Sequence, residues 1–461
     1  MRKILSAILV AFFTLSAGLS YAAELTDEEI DNIVRRSYQY VAMFNTNNNF
    51  AMQEGNPLGT GGWNKMLVPE TLSDHTLTAI PRPNNDSLYL ISMLDMRDDA
   101  IVIQFPAFDS KYVSLETSAY DHYIDVPLST TKGDFKNLTT MLFYTSRTKN
   151  YEGEPIKGID KTLKMTGDFA IAFLRVTPHA SEPERMKRNI AAMKTQKLMT
   201  LSEFQGKAKK PTSDVSFPAF STDQAVFKNN FLEAMQFIFN HTTFDPNDEM
   251  DQKVLAALKT LGVEPGKQFD ADKVAKIDGE KFAKVAKEVL IDSLKTWNDP
   301  KGNPHLTKVF QPKGKMTLGP MVAQSCVGPI GLPYDQAQYP GIGTPDGQPP
   351  INAKGHYVIR MTKAQLPPAK AFWSATLYDA KKGLFIANDN YKYSVGENGG
   401  MKLDQSGGLE IHIAPKQPEG VPKQNWLPSG GKDEILDVIM RVYAPDIEAM
   451  KTWKAPKAEK L

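Results

Sequence analysis

The sequence predicts a mainly β protein with a helical insertion. Polar and apolar side chains alternate in three short segments, at residues 356–362, 372–379 and 409–413. The same two-residue period returns at 436–443. This period places successive side chains on opposite faces of a strand, and no helical period lies between the segments. We therefore predict a jelly-roll-like β-sandwich within the C-terminal domain, residues 301–461, behind a long loop.

A second group of strands is predicted nearer the N-terminus. These segments are rich in Val, Ile, Tyr, Phe and Thr and are separated by prolines, which end strands. The predicted strands are 76–80, 87–95, 100–105, 111–118, 120–126 and 168–177. Together with a preceding helix they predict an N-terminal β-sandwich domain over residues 23–181.

The preceding helix has a recognisable start. Thr26 followed by Glu29 forms a capping box, and apolar side chains then recur at helical spacing. The asparagine-rich segment 45–50 is polar and turn-prone, so the helix is predicted to end there.

Helical spacing also dominates residues 182–300, which we predict to be a helical unit between the two β domains. The predicted helices are 185–204, 223–240, 248–261 and 278–297. The second is apolar on nearly every side, so it should be buried. Residues 299–355 carry many prolines and glycines, and such a long loop is expected to pack on a surface or to line a cleft.

The first 22 residues have the three parts of a secretory signal. Arg2 and Lys3 supply positive charge, residues 4–15 are an apolar run, and Ser20-Tyr21-Ala22 is a small-x-small cleavage site. The mature chain should begin near Ala23 and be soluble in a periplasm or secreted. The alternative is a retained membrane anchor, although the apolar run is short for a bilayer.

Charge and cysteine content exclude several classes of protein. The 461 residues include 54 Lys and Arg against 53 Asp and Glu, a formal charge of +1. This balance gives no electrostatic footprint for nucleic acid or for an anionic membrane. The single cysteine, Cys326, excludes an intrachain disulfide and a cysteine-rich metal site, and a buried thiol is the simplest interpretation.

Common catalytic motifs are missing from the sequence. It has no Gly-x-Ser-x-Gly, His-Glu-x-x-His, Gly-Lys-Ser/Thr or Gly-x-Gly-x-x-Gly motif in the required context. The usual α/β-hydrolase, zincin, P-loop and dinucleotide-binding interpretations are therefore disfavoured. Catalysis is not excluded, because sites on β-sandwiches are assembled from distant loops.

Six polar or aromatic residues form the candidate ligand site. They lie at a strand entry, on a strand with aromatic and histidine side chains, and in the long loop; they are Asn85, Asp86, Tyr89, Tyr120, His122 and Tyr334. Binding sites combine an apolar wall with a few placed polar groups, and these segments offer both. The alternative for 84–86 is an Asx turn, in which the side chains bond their own backbone. No metal site and no cofactor is predicted.

Several longer segments resemble a known two-domain family. PRPNNDSLYLISMLDM, IVIQFPAF and KYVSLETSAYDHYIDV are similar to the N-terminal domain DUF1254. PPAKAFWSATLYDAKKGLFIANDNYKYSVG, GGLEIHIAP, NWLP and MRVYAPD resemble the C-terminal domain DUF1214. SGGKDE after NWLP departs from the Pro-containing, apolar pattern of that family. The resemblance implies a β-sandwich, a helical insertion and a jelly-roll-like domain, but no activity, because the family is of unknown function.

Two functions follow from these observations. The first is an exported protein that binds a small molecule in a cleft between its β domains. The second is a hydrolase or lyase that uses carboxylate and histidine groups in the same cleft. The first is favoured because the sequence identifies no nucleophile and base as a pair. The substrate and the oligomeric state do not follow from the sequence.

Overall fold

β-Sheets and helices together build the part of the chain that the structure describes. The structure, a computed structural model, describes residues 25–78, 80–125, 128–297, 305–345, 347 and 350–461. The predicted signal segment, 1–22, lies outside these residues. Four sheets are found within them, two in each half of the chain, and helices lie between. The fold is thus a mixture of antiparallel sheets with helical parts, in agreement with the predicted class.

The first half contains two sheets that share one core. Its strands are β1 (Lys65–Leu67), β2 (Leu88–Asp95), β3 (Ile101–Phe105), β4 (Val113–Ala119), β5 (Leu128–Ser129), β6 (Thr139–Tyr144), β7 (Lys161–Lys164), β8 (Phe169–Val176) and β9 (Lys197–Thr200). The sheet orders are β1-β2-β8-β4-β5 and β7-β6-β3-β9. One apolar cluster contains side chains from both sheets, among them Leu90 of β2 and Ile103 of β3. Most pairs are antiparallel, and β6 with β7 is parallel.

Strand β2 is buried along its whole length because both of its faces are covered. Leu88, Leu90 and Leu94 belong to the cluster between the two sheets. Ile91 and Met93 belong to a different cluster, which also contains side chains of the first helix. A strand with a two-residue period and two apolar neighbours has no polar face, which explains the sequence LYLISMLD.

The first helix, α1 (Asp27–Met52), begins at the predicted capping box of Thr26 and Glu29. It continues through the asparagine-rich segment, so the predicted end near residue 45 is wrong. Asn45, Asn47 and Asn48 are buried, and their amide groups bond Asp223, the Ser118 carbonyl and the Tyr120 hydroxyl. Long-range hydrogen bonds therefore stabilise polar residues that would favour a turn if they were exposed.

Eight further α-helices lie in the described part of the chain. They are α2 (Pro183–Lys194), α3 (Leu201–Phe204), α4 (Asp223–Asn229), α5 (Phe231–Asn240), α6 (Glu249–Lys259), α7 (Gly279–Trp297), α8 (Leu318–Val327) and α9 (Ile447–Met450). One core contains apolar side chains of α1 and of α4 to α8. The predicted burial of the 223–240 segment is confirmed at Phe231, which is 2% exposed. Among the described residues, no helix combines the length and the apolar character that a membrane span requires.

Two segments differ from the predicted helical unit. The predicted helix 185–204 contains α2, β9 and α3, because β9 pairs with β3 and completes a sheet of the first half. The predicted loop 299–355 contains α8, whose Val322 packs in the core with α1. In both segments, contacts with residues distant in sequence determine the secondary structure.

The second half also contains two sheets around one core. Its strands are β10 (Ala337–Gln338), β11 (Gly341–Ile342), β12 (Tyr357–Met361), β13 (Ala369–Asp379), β14 (Ser394–Gly396), β15 (Leu409–Ala414), β16 (Trp426–Pro428), β17 (Leu436–Pro445) and β18 (Ala458–Lys460). One sheet has the order β10-β17-β13-β14, with β11 also paired to β17, and the other has the order β16-β15-β12-β18. The four strands predicted from alternation are confirmed as β12, β13, β15 and β17.

Strand β13 joins the two halves of the molecule. Trp373, Ala375 and Leu377 face the core between the two C-terminal sheets. Phe372, on the other face, packs in a cluster with Tyr112 of the first half. Both faces of this strand are apolar, which is why the sequence predicted an inner strand. One face packs in the core between the two C-terminal sheets, and the other packs against the first half.

Candidate functional site

A cavity of about 550 Å³ lies where the two halves and the helices meet. Its volume is in the range of small-molecule sites. The lining side chains come from β2, β8, β17, α7, α8 and the connecting loops; they are Pro81, Arg82, Asn84, Tyr89, Arg175, Leu294, Trp297, Phe310, Gln324, Val327, Gly328, Ile330, Gly331, Tyr339, Gly341, Asp437, Ile439, Arg441, Tyr443 and Lys457. The site is thus a cleft between the β halves that helices and loops close.

Strand geometry places the polar side chains on two facing walls. In the first half, Tyr89 of β2 lies directly opposite Arg175 of β8, so both side chains point to one face of their sheet. In the second half, Ile439, Arg441 and Tyr443 occupy alternate positions of β17 and share a face for the same reason. Each sheet therefore contributes an arginine and a tyrosine to the cavity.

The remaining walls come from helix ends and from loops that precede or follow them. Trp297 is the last residue of α7, and Gln324 and Val327 lie in the last turn of α8. The Gln324 side chain donates to the His122 carbonyl and accepts from the Phe310 backbone N–H at 2.6 Å. This residue therefore connects α8 to two loops and fixes the position of the Phe310 ring on the wall.

Three non-glycine residues with positive φ lie in or directly behind the cavity wall. Arg82 and Phe310 line it with φ of +48° and +54°, and His122 behind Gln324 has φ of +62°. Residues with a Cβ rarely adopt this left-handed conformation, and it persists only where the surroundings enforce it. Such positions are frequent in functional sites, which makes the cavity the leading candidate.

Two of the three cavity arginines are ion-paired. Arg175 Nη1 lies 2.8 Å from Glu116 Oε2, and both side chains are almost fully buried. The Arg175 guanidinium also lies over the Phe173 ring, 4.6 Å from its centroid. Arg82 Nε lies 2.8 Å from Asp437 Oδ2 near the rim. The charges of these two arginines are balanced within the wall.

Arg441 is different. It is 4% exposed, and its Nη2 donates to the Arg82 carbonyl at 2.7 Å, while Nη1 has no hydrogen-bond partner among the described residues. Its charge acts on the buried Asp86, but no nitrogen–oxygen distance within 4 Å joins the two among the described ion pairs. Arg441 thus lines the cavity and has a buried N–H group without an acceptor among the described residues.

The segment 82–86 connects the two halves beside this arginine. Asn84 donates to the Tyr443 hydroxyl at 3.2 Å, and Tyr378 donates to the Pro83 carbonyl. Asp86 Oδ2 accepts from the Ser374 hydroxyl at 2.5 Å. Burial raises the pKa of the Asp86 carboxyl, and the positive charge of Arg441 opposes that rise. Asp86 therefore contacts the second half and is not a lining residue.

Of the predicted site residues, Tyr89 alone lines this cavity. Asn84 forms the Asx turn that was the alternative interpretation, because its Oδ1 accepts from the backbone N–H groups of Asp86 and Ser87. The Asn85 amide donates to the Ser73 carbonyl, and its side chain lines a separate groove with Tyr391 and Lys392. The predicted strand entry was in the right place, but its polar groups bond protein.

Tyr120 and His122 do not share the strand face that was predicted for them. β4 ends at Ala119, and the left-handed His122 donates its backbone N–H to the Ala119 carbonyl, so the chain turns here. The Tyr120 ring lies in the helical core, where its hydroxyl donates to Asn48. Neither residue lines the cavity.

His122 is buried behind the cavity wall, and both of its ring nitrogens are bonded. Nε2 lies 2.8 Å from the Pro329 carbonyl and must donate to it, so Nδ1 accepts from the Ser325 hydroxyl at 2.7 Å. Burial lowers its pKa to about 4. A neutral histidine with two bonded nitrogens positions α8 and has no free atom to act as a base. Its hydrogen bonds do not include Asp86.

The long loop does close the cavity, but through other residues than Tyr334. Tyr334 is half-buried and is not among the lining side chains. Ile330, Gly331 and Tyr339 of the same loop line this part of the wall.

The sequence analysis missed the two buried arginines, Arg175 and Arg441. Each lies inside an apolar strand, in FAIAFLRV and VIMRVYAP, and a charged residue in such a strand indicates a buried charge with a structural or functional role.

The arrangement offers hydrogen-bond donors and aromatic surface. Within the described residues, no group of three or more His, Cys, Asp or Glu side chains is placed to hold a metal ion. The hydroxyls of Tyr89 and Tyr443 each accept a bond from Asn84, which leaves their own protons for another acceptor. Hydroxyl donors of Tyr89 and Tyr443 therefore lie in the cavity wall.

Comparison with known proteins places the chain in a family. Residues 63–200 match DUF1254 and residues 336–447 match DUF1214, both described as domains of unknown function. The crystal structure of the VPA0106 protein from Vibrio parahaemolyticus is similar, with 21% identity, a TM-score of 0.70 and coverage of 95% of this chain and 100% of that chain. This likeness shows the fold alone. A crystal structure of an uncharacterised protein from Burkholderia cenocepacia has 12% identity and a TM-score of 0.42, over 94% of this chain and 95% of that chain.

Curated proteins gave no match to the sequence. The two matched regions lie in the order predicted from the resemblance, with DUF1254 first. The protein therefore belongs to the family in which a DUF1254 domain is followed by a DUF1214 domain.

Proposed function

We propose that this protein binds a small molecule in the cavity between its two β halves. The observation that carries the proposal is the construction of the cavity. Side chains from both halves, two helix ends and a long loop converge on one space of about 550 Å³, which includes an arginine nitrogen without a partner among the described residues. Enclosure by several elements with a few placed polar groups is typical of ligand sites.

The architecture supports this proposal. We take each half to be a two-sheet sandwich, the second of the jelly-roll-like kind, since one apolar cluster in each half draws on both sheets. Domain boundaries near residues 181 and 300 would place the helical unit between the halves. Rigid sandwiches on both sides of a cavity hold its walls in place, and loops then adapt to the ligand.

Binding is favoured over the alternative of a hydrolase or lyase. That alternative needs a carboxylate and a histidine that converge on a substrate. Asp86 bonds Ser374, whereas His122 bonds Ser325 and Pro329, and neither residue lines the cavity.

Export is the second part of the proposal, and it rests on the charged start, apolar run and cleavage site at residues 1–22. N-terminal sequencing of the protein from a periplasmic or culture fraction should begin at Ala23 or within a residue or two of it. Recovery of only the full-length chain from the cytosol would contradict export and leave the cavity unaffected.

Filling the cavity tests the binding proposal. Gly328 lines it with an extended backbone, and a Cβ there would meet no atom within 4 Å, so Gly328→Phe should fold and occupy the space. Gly343→Phe is the matched control, since its Cβ also has open space but lies outside the cavity lining. Each variant is equilibrated with a small-molecule extract of cells, and the molecules released on denaturation are identified by mass spectrometry.

We expect at least one small molecule to be enriched by the original protein and by Gly343→Phe, but not by Gly328→Phe. Equal enrichment by all three proteins would overturn the proposal, as would the absence of any enriched molecule.

A further inference from the structure

We infer that the ligand is a monocarboxylate with an apolar or aromatic body, and that Arg441 binds its carboxylate. This inference rests on the proposed binding function and specifies the chemical class of the ligand. Three features of the cavity carry it: the charge of the walls, the imbalance of hydrogen-bond donors and acceptors, and the nature of the remaining surface.

Among the described ion pairs, no carboxylate lies within 4 Å of Arg441, whose guanidinium lies 5.5 Å from the centroid of the Tyr378 ring. Glu116 balances Arg175 at 2.8 Å, and Asp437 balances Arg82 at 2.8 Å. Asp86 acts on Arg441 through its charge, but its Oδ2 accepts from Ser374 instead of from Arg441. The exposed Lys457 adds another positive charge at the rim. The cavity therefore has an excess of positive charge that an anion would balance.

Hydrogen-bond donors outnumber acceptors on these walls. Arg441 Nη1 is buried and has no acceptor among the described residues. A buried donor without a partner is unfavourable, so a ligand that supplies an acceptor is favoured. The Tyr89 and Tyr443 hydroxyls accept from Asn84 and retain their own protons. A carboxylate, which accepts only, matches all three donors.

Part of the remaining lining is apolar. Trp297, Phe310, Ile330, Val327 and Ile439 form this part of the surface. One unpaired guanidinium nitrogen suits one negative charge, and the apolar surface suits a hydrocarbon or aromatic body. A phosphate would bring more charge and more oxygen atoms than these donors can meet. The geometry therefore favours a carboxylate over a phosphate.

Matched pairs of ligands test this inference on the unchanged protein. Benzoate is compared with benzamide, and hexanoate with hexanamide, with inorganic phosphate as the other anion, all by titration calorimetry at constant ionic strength. We expect at least one carboxylate to bind about 10- to 100-fold more tightly than its amide, which corresponds to one hydrogen bond to a charged group. Phosphate should not compete.

Substitution of the arginine provides the second measurement. Arg441→Met with Asp86→Asn removes the cation together with the nearby buried carboxylate, so that neither charge is left alone. This double variant should bind carboxylate and amide equally. Arg360→Met is the control, because Arg360 is exposed on β12 and pairs with Glu410 and Glu459 outside the cavity; it should keep the preference.

The outcomes separate this inference from the binding proposal. Equal binding of carboxylate and amide, a preference that survives in the double variant, tighter binding of phosphate, or no binding of either carboxylate would each overturn the assignment to Arg441. If a neutral molecule is nevertheless enriched and Gly328→Phe abolishes its enrichment, binding in the cavity stands without the carboxylate. If Gly328→Phe leaves carboxylate binding unchanged, both proposals fail.

Discussion

Arg175 and Arg441 approach one cavity from opposite sheets, yet their surroundings differ. Arg175 lies on β8 with Glu116 at 2.8 Å and the Phe173 ring beneath it. Arg441 lies on β17, donates to one backbone carbonyl and has a nitrogen with no partner among the described residues. Both are at least 95% buried.

The difference separates a structural cation from one that is available to a ligand. A buried ion pair satisfies itself, and its removal is felt mainly in folding. A buried cation without a close partner lowers the stability of the empty protein, and this cost is reduced when an anion binds. The next experiments compare the two sides of the cavity.

The largest effect is expected for Glu116→Leu. This change leaves Arg175 buried without a counter-charge or an acceptor, so we expect the free energy of unfolding to fall by about 3–5 kcal/mol. Denaturant unfolding of the purified variant measures it. A loss below about 1 kcal/mol would mean that Arg175, like Arg441, does not depend on its neighbour.

Two companion variants identify the cause. Glu116→Gln keeps an oxygen acceptor for Arg175, and burial already raises the pKa of Glu116, so this change should cost less than Glu116→Leu. Adding Arg175→Met to Glu116→Leu removes both charges and should recover most of the lost stability. If the double variant is as unstable as Glu116→Leu, the loss comes from packing.

Acid should lower the free energy of unfolding through His122, which is buried behind the cavity wall. Its pKa is about 4 in the folded protein against 6.5 in an unfolded chain, so the unfolded chain binds more protons between these values. Stability is therefore full above about pH 6.5 and falls by about 3 kcal/mol as the pH drops to 4. His122→Gln should lose less stability over this range when unfolding is measured at several pH values.

His179 shares this direction, since burial lowers its pKa to about 4 as well. Adding His179→Gln to His122→Gln should therefore flatten the pH dependence further. If His122→Gln follows the same curve as the original protein, the histidine is not the group that opposes acidification.

The smallest change in stability is expected for Asp86→Asn, beside Arg441. A buried acid with a raised pKa disfavours folding above that pKa and has no effect below its unfolded value of 3.8. Since asparagine can still accept from Ser374, the variant should be within about 1 kcal/mol of the original protein at pH 7, and slightly more stable. Near pH 3.5 the two should be equal.

The same variant should bind the carboxylate probe about two- to tenfold more tightly, because the opposing charge near Arg441 is gone. Weaker binding would mean that Asp86 itself contacts the ligand, as the sequence analysis predicted.

Local sequence patterns were sufficient to predict those elements whose secondary structure depends mainly on neighbouring residues. The alternation at 409–413 and 436–443 predicts β15 and β17, and the Thr26 capping box predicts the start of α1. The polar end of α1 and the strand β9 were missed because their partners are distant in sequence. Asn48 depends on Tyr120, and β9 depends on β3.

The site was harder to predict for the same reason. Among the predicted site residues Tyr89 lines the cavity, and part of the predicted loop 299–355 lines it as well. Arg441 stands out because of how charged side chains pair in the folded protein: Glu116 forms an ion pair with Arg175, whereas Asp86 accepts from Ser374. This pairing cannot be read from any single segment of the sequence. The pairing of charges is set by how the sheets pack, so the sequence could indicate a buried arginine but not whether it has a partner.

The central position of α1 also has a consequence for the order of assembly. This helix leaves the ribosome long before some of its core partners, which include α7 and α8, ending at Trp297 and Val327. Contacts between segments so far apart in sequence form slowly, and apolar faces that are still exposed promote aggregation before these contacts form. Every incomplete chain that stops before α8 lacks part of this core, so we expect α1 to be prone to aggregation until α8 has been synthesised.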